Sequence, residues 1–188
     1  MNQYPKFSTK YGQAVRLQTY DISDFQELYW MHVPSGMMEF LETFQVSCVM
    51  NGFLWTLNPM EHIDWLKELL KDTSDLDLIK IPFARTVFGD ILYIESESIN
   101  LFSSSRMTLE NFAFDAESLL EWTLTDLDFI NEKLNYRLFE RIQGKTTLEN
   151  CFPLAFEKNE LTIKPEVHFE EHKKELMQSK GQIKWEKI

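Results

Sequence analysis

At 188 residues, with 44% hydrophobic and 14% aromatic side chains, the chain is too apolar for the disordered class and long enough to bury about 70% of its unfolded surface in one core. Thirty acidic against nineteen basic residues give a net charge of −11, which disfavours direct binding to nucleic acid or to an anionic membrane and favours a basic partner, although acidity can also serve solubility alone. Cys48 and Cys151, each among apolar neighbours, read as buried free thiols of a reducing compartment. The start lacks an apolar leader and no run reaches the ~18 apolar residues of a membrane span, so a cytoplasmic protein is expected.

In chain order, residues 4–20 carry no convincing period and read as an irregular lead-in with one short strand near Ala14 to Leu17. Asp21 or Ser23 caps a helix through Phe25, Leu28 and Tyr29, and Val33-Pro34 ends it. Ser35 then caps a helix whose Met37, Met38, Leu41 and Phe44 recur at helical spacing and form a core face.

The chain is organised around Asn51 to Tyr93. Asn51-Gly52 tolerates the positive φ of a tight hairpin turn, so Val46 to Leu57 reads as two strands closed by Asn58-Pro59. A helix from Met60 to Leu70 turns Ile63, Leu66, Leu69 and Leu70 inward, and an acidic turn spans Asp72 to Asp77. Ile79 to Phe83 and Val87 to Tyr93 read as paired strands, with Phe88-Gly89-Asp90 supplying a turn signal.

One more short strand is expected around Ile99 to Phe102. Residues 107–132 then hold seven acids, Glu110, Asp115, Glu117, Glu121, Asp126, Asp128 and Glu132, with no base among them, interleaved with Leu119, Leu120, Trp122, Leu124 and Leu127. That stretch reads as partly helical, packed on one side and acidic on the other. A helix from Leu134 to Gln143 ends at Gly144, Cys151 to Phe156 forms a last core strand, and a charged helix from Glu166 to Ser179 precedes a frayed end. The sum is an α+β fold, a single domain with a mostly antiparallel sheet flanked by amphipathic helices.

Candidate chemistry is sparse. His168-Phe169-Glu170-Glu171-His172 matches the H-x-x-E-H pattern of inverted zincins, but such a site needs a third ligand, and Glu175 and Glu186 are the only acids beyond His172. A solvated helix produces the same pattern, so neither metal nor cofactor is expected, and His32 and His62 read as structural. Arg85 and Asp90 flank the Phe88-Gly89 turn and read as an ion pair clamping the hairpin, ahead of an acid and its anchor. No phosphate-binding glycine loop, nucleophile elbow or Cys-x-x-Cys pair is present.

From Lys6 to about Ala155 the chain resembles the bacterial GAD-like family of immunity proteins that accompany type VI secretion DNase toxins. The resemblance rests on Lys10-Tyr11-Gly12, Val33-Pro34 with Met37 to Leu41, Asn51-Gly52-Phe53-Leu54-Trp55 with Asn58-Pro59, and Ala84 to Asp90. The chain departs from the family at Leu41 and Val46, where members carry tryptophan and glycine, and after Ala155, where a glycine pair is missing. The resemblance implies an immunity-type domain over residues 1–164, with 165–188 a charged C-terminal helix and tail. It implies a non-enzymatic cytoplasmic protein that neutralises a cognate toxin, a DNase, with Asn51, Gly52, Trp55, Pro59, Arg85, Phe88, Gly89 and Asp90 as structural motif residues. Glu110, Asp115, Glu117, Glu121, Asp126 and Asp128 are the expected toxin-facing acids, because a nuclease must present a basic cleft to phosphates. The alternatives are a ligand-binding or regulatory domain using an aromatic pocket around Phe53, Trp55 and Phe88, and a hydrolase built on Arg85, Asp90 or the His168/His172 pair.

Overall fold

The computed structural model describes residues 4–73, 78–142, 146–157 and 160–186. Its centre is an eight-stranded sheet in the order β1-β2-β3-β4-β5-β6-β7-β12. The strands are β1 (Val15–Gln18), β2 (Val46–Val49), β3 (Leu54–Thr56), β4 (Ile81–Thr86), β5 (Ile91–Glu95), β6 (Ser98–Ser103), β7 (Thr108–Ala113) and β12 (Lys184–Trp185). Every pairing from β1 to β7 is antiparallel, and β12 lies parallel to β7. Two small hairpin-like pairs, β8 (Asn150–Cys151) with β11 (Val167–His168) and β9 (Leu154–Glu157) with β10 (Glu160–Ile163), stand beside it.

Side chains alternate between the two faces of a strand, and β5 shows both faces covered. Ile91 and Tyr93 pack with Leu66, Leu69 and Leu70 of α4 (Ile63–Leu69 and its end) and with Phe169 and Leu176 of α7 (Phe169–Ser179). Leu92 and Ile94 point the other way, into the larger core with Phe7, Phe40, Leu41, Phe83 and Leu120. That core is roofed by α1 (Pro5–Tyr11), α2 (Ser23–Tyr29), α3 (Met37–Phe44), a π-helical segment (Ser118–Thr123), α5 (Leu127–Leu134) and α6 (Tyr136–Phe139). The α+β class with a mostly antiparallel sheet and flanking helices thus holds, with helices on both faces.

Both expected turns are present. Met50, Asn51 and Gly52 all adopt positive φ, and the Trp55 indole N–H donates to the Gly52 carbonyl at 3.1 Å, which locks the β2–β3 hairpin. Pro59 opens a short 3₁₀ turn, with Asn58 Oδ1 accepting the Met60 amide. In the β4–β5 hairpin Thr86 Oγ1 accepts the amides of Phe88 and Asp90, and Gly89 takes φ 89°.

Several boundaries differ from the sequence reading. β4 ends at Thr86 and β5 begins at Ile91, so the turn consumes Val87 to Asp90, where the sequence predicts the start of a strand. The lead-in contains α1, with Pro5 in its first turn and Gly12 at its C-terminus at φ 75°. α3 is preceded by Gly36 in the left-handed region and not by a Ser35 side-chain cap. Residues 108–113 are strand β7; a register shift opposite Ile99/Asn100 breaks the alternation that would have revealed it. Asn135 at φ 57° ends α5 at Leu134, so the helix expected from Leu134 to Gln143 is reduced to α6, Tyr136–Phe139, while Gln143 and Gly144 lie outside the described residues, as do Ser74 to Asp77 of the acidic turn. Phe152-Pro153 splits the last core strand into β8 and β9, and the tail expected to fray supplies β12.

Candidate functional site

The acidic segment separates into structural and exposed carboxylates. Glu110 is 4% exposed and pairs with Arg106 at 3.1 Å and with Lys133, the bases that stand just outside the base-free window on either side. Glu121 is also buried: its carboxylate accepts the backbone N–H groups of Lys6 at 3.0 and 3.1 Å and of Phe7 at 3.3 Å. Tyr4, at the N-cap of α1, gives no side-chain cap, so Glu121 caps that helix from a distant part of the chain. These two residues therefore fall outside the expected toxin-facing surface, because each is consumed by a partner inside the fold.

The other acids stay near solvent. Asp115 Oδ1 accepts the Ser118 amide at 2.7 Å, and Asp126 caps α5 by accepting the amides of Asp128 and Phe129. Glu117 has no hydrogen-bond or ion-pair partner among the described residues, and Asp128 meets only the exposed Arg137 at 3.8 Å. The same segment exposes Phe114 at 83% and Trp122 at 61%, with Lys6 Nζ 3.1 Å above the Trp122 ring. Glu39 of α3, not singled out from sequence, joins Asp115, Glu117 and Glu121 around a hollow of about 500 Å³ that Tyr4 and Gly36 also line. Burial, then the charges of those four acids, hold the Tyr4 phenol above its ordinary pKa.

Arg85 and Asp90 do not form the expected ion pair. Arg85 is wholly buried, donating to the carbonyls of Thr86, Thr147, Leu148 and Asn150 at 2.6–3.1 Å, with Phe169 stacked 4.6 Å from the guanidinium. Burial lowers its pKa to about 10, which leaves it charged at neutral pH. Asp90 instead accepts from Thr86 Oγ1 and from the amide and hydroxyl of Ser104, and burial raises its carboxyl above the usual range. The clamp is real but runs through separate shells: Arg85 stitches residues 147–150 to the sheet, and Asp90 ties the hairpin to the turn after β6. Phe53, Trp55 and Phe88 are core residues, all at most 4% exposed.

The two histidines of the H-x-x-E-H pattern part company. His168 Nδ1 accepts the Glu170 amide at the start of α7 and is exposed, whereas His172 is buried with neither ring nitrogen hydrogen-bonded, its Nδ1 standing 3.8 Å from the exposed Glu175 carboxylate. Burial, aided by the Arg85 charge, lowers the His172 pKa to about 4. Its ring covers Gly89, where an added Cβ would lie 2.5 Å from Nε2. His62, read from sequence as structural, stands 3.4 Å from Lys173 Nζ beside a cavity of about 200 Å³ that His168 also lines. Among the described residues no group of three His, Cys, Asp or Glu side chains is arranged to hold a metal ion, and no helix is long and apolar enough to cross a membrane.

No protein-family model matches the chain, and no curated protein matches it. Among solved structures it is similar to Atu4351 from Agrobacterium tumefaciens, with a TM-score of 0.68 and 15% identity over 94% of this chain and 89% of that one. At that identity the likeness shows the fold alone.

Proposed function

We propose that the protein is a non-enzymatic cytoplasmic immunity protein that binds and neutralises a cognate secreted toxin, a DNase, through the exposed part of its acidic segment. The observation that carries this reading is the pairing of two exposed aromatic rings, Phe114 and Trp122, with the unburied acids Asp115, Glu117, Asp126 and Asp128 on one stretch of chain. Protein interfaces place aromatic anchors at the centre and charge at the rim, where it governs association rate and salt dependence. The burial of Phe53, Trp55 and Phe88 argues against the aromatic-pocket alternative, and the burial of Arg85 and Asp90 argues against a hydrolytic one.

Calorimetry against the toxin encoded by a neighbouring gene tests the reading. Trp122→Ala with Asp128→Lys is expected to weaken binding at least about tenfold, with thermal unfolding nearly unchanged, and association of the wild type is expected to slow with salt. Absence of binding by the wild type, or undiminished affinity of the double variant, overturns it.

A further inference from the structure

Asn51 is the chain's one asparagine followed by glycine. That pair carries a latent reaction: with no side chain on the next residue, its backbone nitrogen has unhindered access to the asparagine side-chain carbonyl carbon. The Asn51 side chain is exposed and has no hydrogen-bond partner among the described residues, so nothing there holds its amide back. What decides the reactivity is the backbone between the two groups.

Closing the five-membered ring brings Asn51 Cβ and the Gly52 nitrogen to the same side of the Cα–C bond, which a tetrahedral Cα does at a ψ of about −120°. Asn51 has φ 58° and ψ 28°, about 150° away in ψ, so the two atoms stand nearly opposite each other. The rotation between these states swings the 51–52 peptide plane, and the turn is held on both sides of it. The Phe53 amide donates to the Met50 carbonyl at 3.2 Å, and the Trp55 indole donates to the Gly52 carbonyl at 3.1 Å. Beyond the turn Cys48 pairs with Trp55 and Val49 with Leu54, and the Phe53 carbonyl accepts the Val87 amide at 2.7 Å, which ties the turn to the β4–β5 hairpin. The fold also requires the labile pair. Gly52 sits at φ 96°, where a Cβ would run into the Thr146 hydroxyl, and position 51 needs a residue that tolerates the left-handed region.

We propose that Asn51 is a site of spontaneous deamidation that the closed β2–β3 turn silences, so that the modification accumulates in proportion to hairpin opening. In the open turn the Gly52 nitrogen bonds to Asn51 Cγ, the Cγ–Nδ2 bond breaks, and ammonia leaves with the proton that the Gly52 nitrogen gives up, which leaves a cyclic imide. Water then adds to either imide carbonyl and opens the ring to an aspartate or an isoaspartate. The aspartate suits the left-handed turn. The isoaspartate places an extra methylene in the backbone between Met50 and Gly52, so the Val49–Leu54 pairing and the indole bond no longer close over the same number of atoms. For that fraction of the chains the opening is irreversible.

The test is incubation of the full chain at mildly alkaline pH in buffer, in sub-denaturing urea and in denaturing urea, with peptide mapping by mass spectrometry and isoaspartate measured by enzymatic methyl transfer. Position 51 is expected to react at least about 100-fold more slowly in the folded chain than in the unfolded one, with the rate rising alongside amide exchange of Phe53 as urea is added. Trp55→Ala is expected to speed the reaction in buffer at least about tenfold, and Asn51→Gly, which accepts the positive φ, to abolish it at nearly unchanged Tm. Where Trp55→Ala does not fold, the urea series gives the same comparison. The refolded isoaspartate chain is expected to melt below the aspartate chain. Equal rates in the folded and unfolded chain, a rate indifferent to sub-denaturing urea or to Trp55→Ala in a folded variant, faster modification of another asparagine in the unfolded chain, or an isoaspartate chain with the wild-type Tm overturns the inference.

Discussion

Glu121→Ala removes a carboxylate that sequence alone assigns to the surface, and its cost follows from what that carboxylate holds. The N–H groups of Lys6 and Phe7 occupy the second and third positions of α1, where no intrahelical acceptor exists, and Glu121 takes both. A hydrogen bond to a charged group contributes about 1.5–3 kcal/mol, and loss of a helix cap costs about 0.5–2 kcal/mol. The two descriptions overlap, so the sum is bounded near 2–4 kcal/mol, or about 4–16 °C in Tm for a chain of this size. Failure of the cap also loosens the docking of Phe7 and Tyr11, both buried by α1, which places the result toward the upper end. The control is Glu117→Ala, four residues earlier and exposed, which is expected to stay within about 0.5 kcal/mol of wild type. Urea and thermal unfolding of the two variants measure the difference. Equal stability of Glu121→Ala and Glu117→Ala would refute the assignment of Glu121 as the cap of α1.

Other consequences are as direct. His172, neutral when folded with a pKa near 4 and about 6.5 when unfolded, contributes stability present above pH 6.5 that is lost as pH falls toward 4, because the unfolded chain binds the extra proton. The loss is on the order of 3 kcal/mol, and His172→Gln should flatten the slope of unfolding free energy against pH in that window; an unchanged slope rejects the assignment. Gly89→Ala should cost about 2–4 kcal/mol from its φ of 89° and its closeness to His172, and His172→Ala should restore part of that in a double-mutant cycle, whereas strict additivity would remove the ring contact from the account. Trp55→Ala, which empties a 4%-exposed site and breaks the indole bond to Gly52, should cost about 3–5 kcal/mol by denaturant titration, and wild-type stability would contradict the organising role of the hairpin.

What was legible in the sequence is what is locally encoded. Asn51-Gly52 and Phe88-Gly89-Asp90 announce positive φ within a few residues, so both hairpins were readable, and the spacing of Met37, Leu41 and Phe44 named a buried helix face. The roles of Glu110 and Glu121 were not readable, for different reasons. Glu110 finds Arg106 and Lys133 just beyond the base-free stretch 107–132. Glu121 is neutralised by no charge at all but by amides 114 and 115 residues away, which composition cannot register. Arg85 and Asp90 were correctly placed at a clamp, yet sequence proximity suggested a pair where the fold gives each its own neutral partners. Glu39 and Tyr4 enter the candidate site only because α1, α3 and the segment after β7 converge.

The order of the sheet also constrains how the chain assembles. From β1 to β7 each strand hydrogen-bonds to the strand next to it along the chain, with short turns at β2–β3 and from β4 to β7 and helix-bearing connections at β1–β2 and β3–β4, so the β4–β7 meander closes the shortest loops. The two ends are closed differently: α1 waits for Glu121 to be in place, and β12 waits for β7. Assembly from the middle outward is therefore expected, and amide exchange should release the termini first, by openings that leave the β4–β5 hairpin protected.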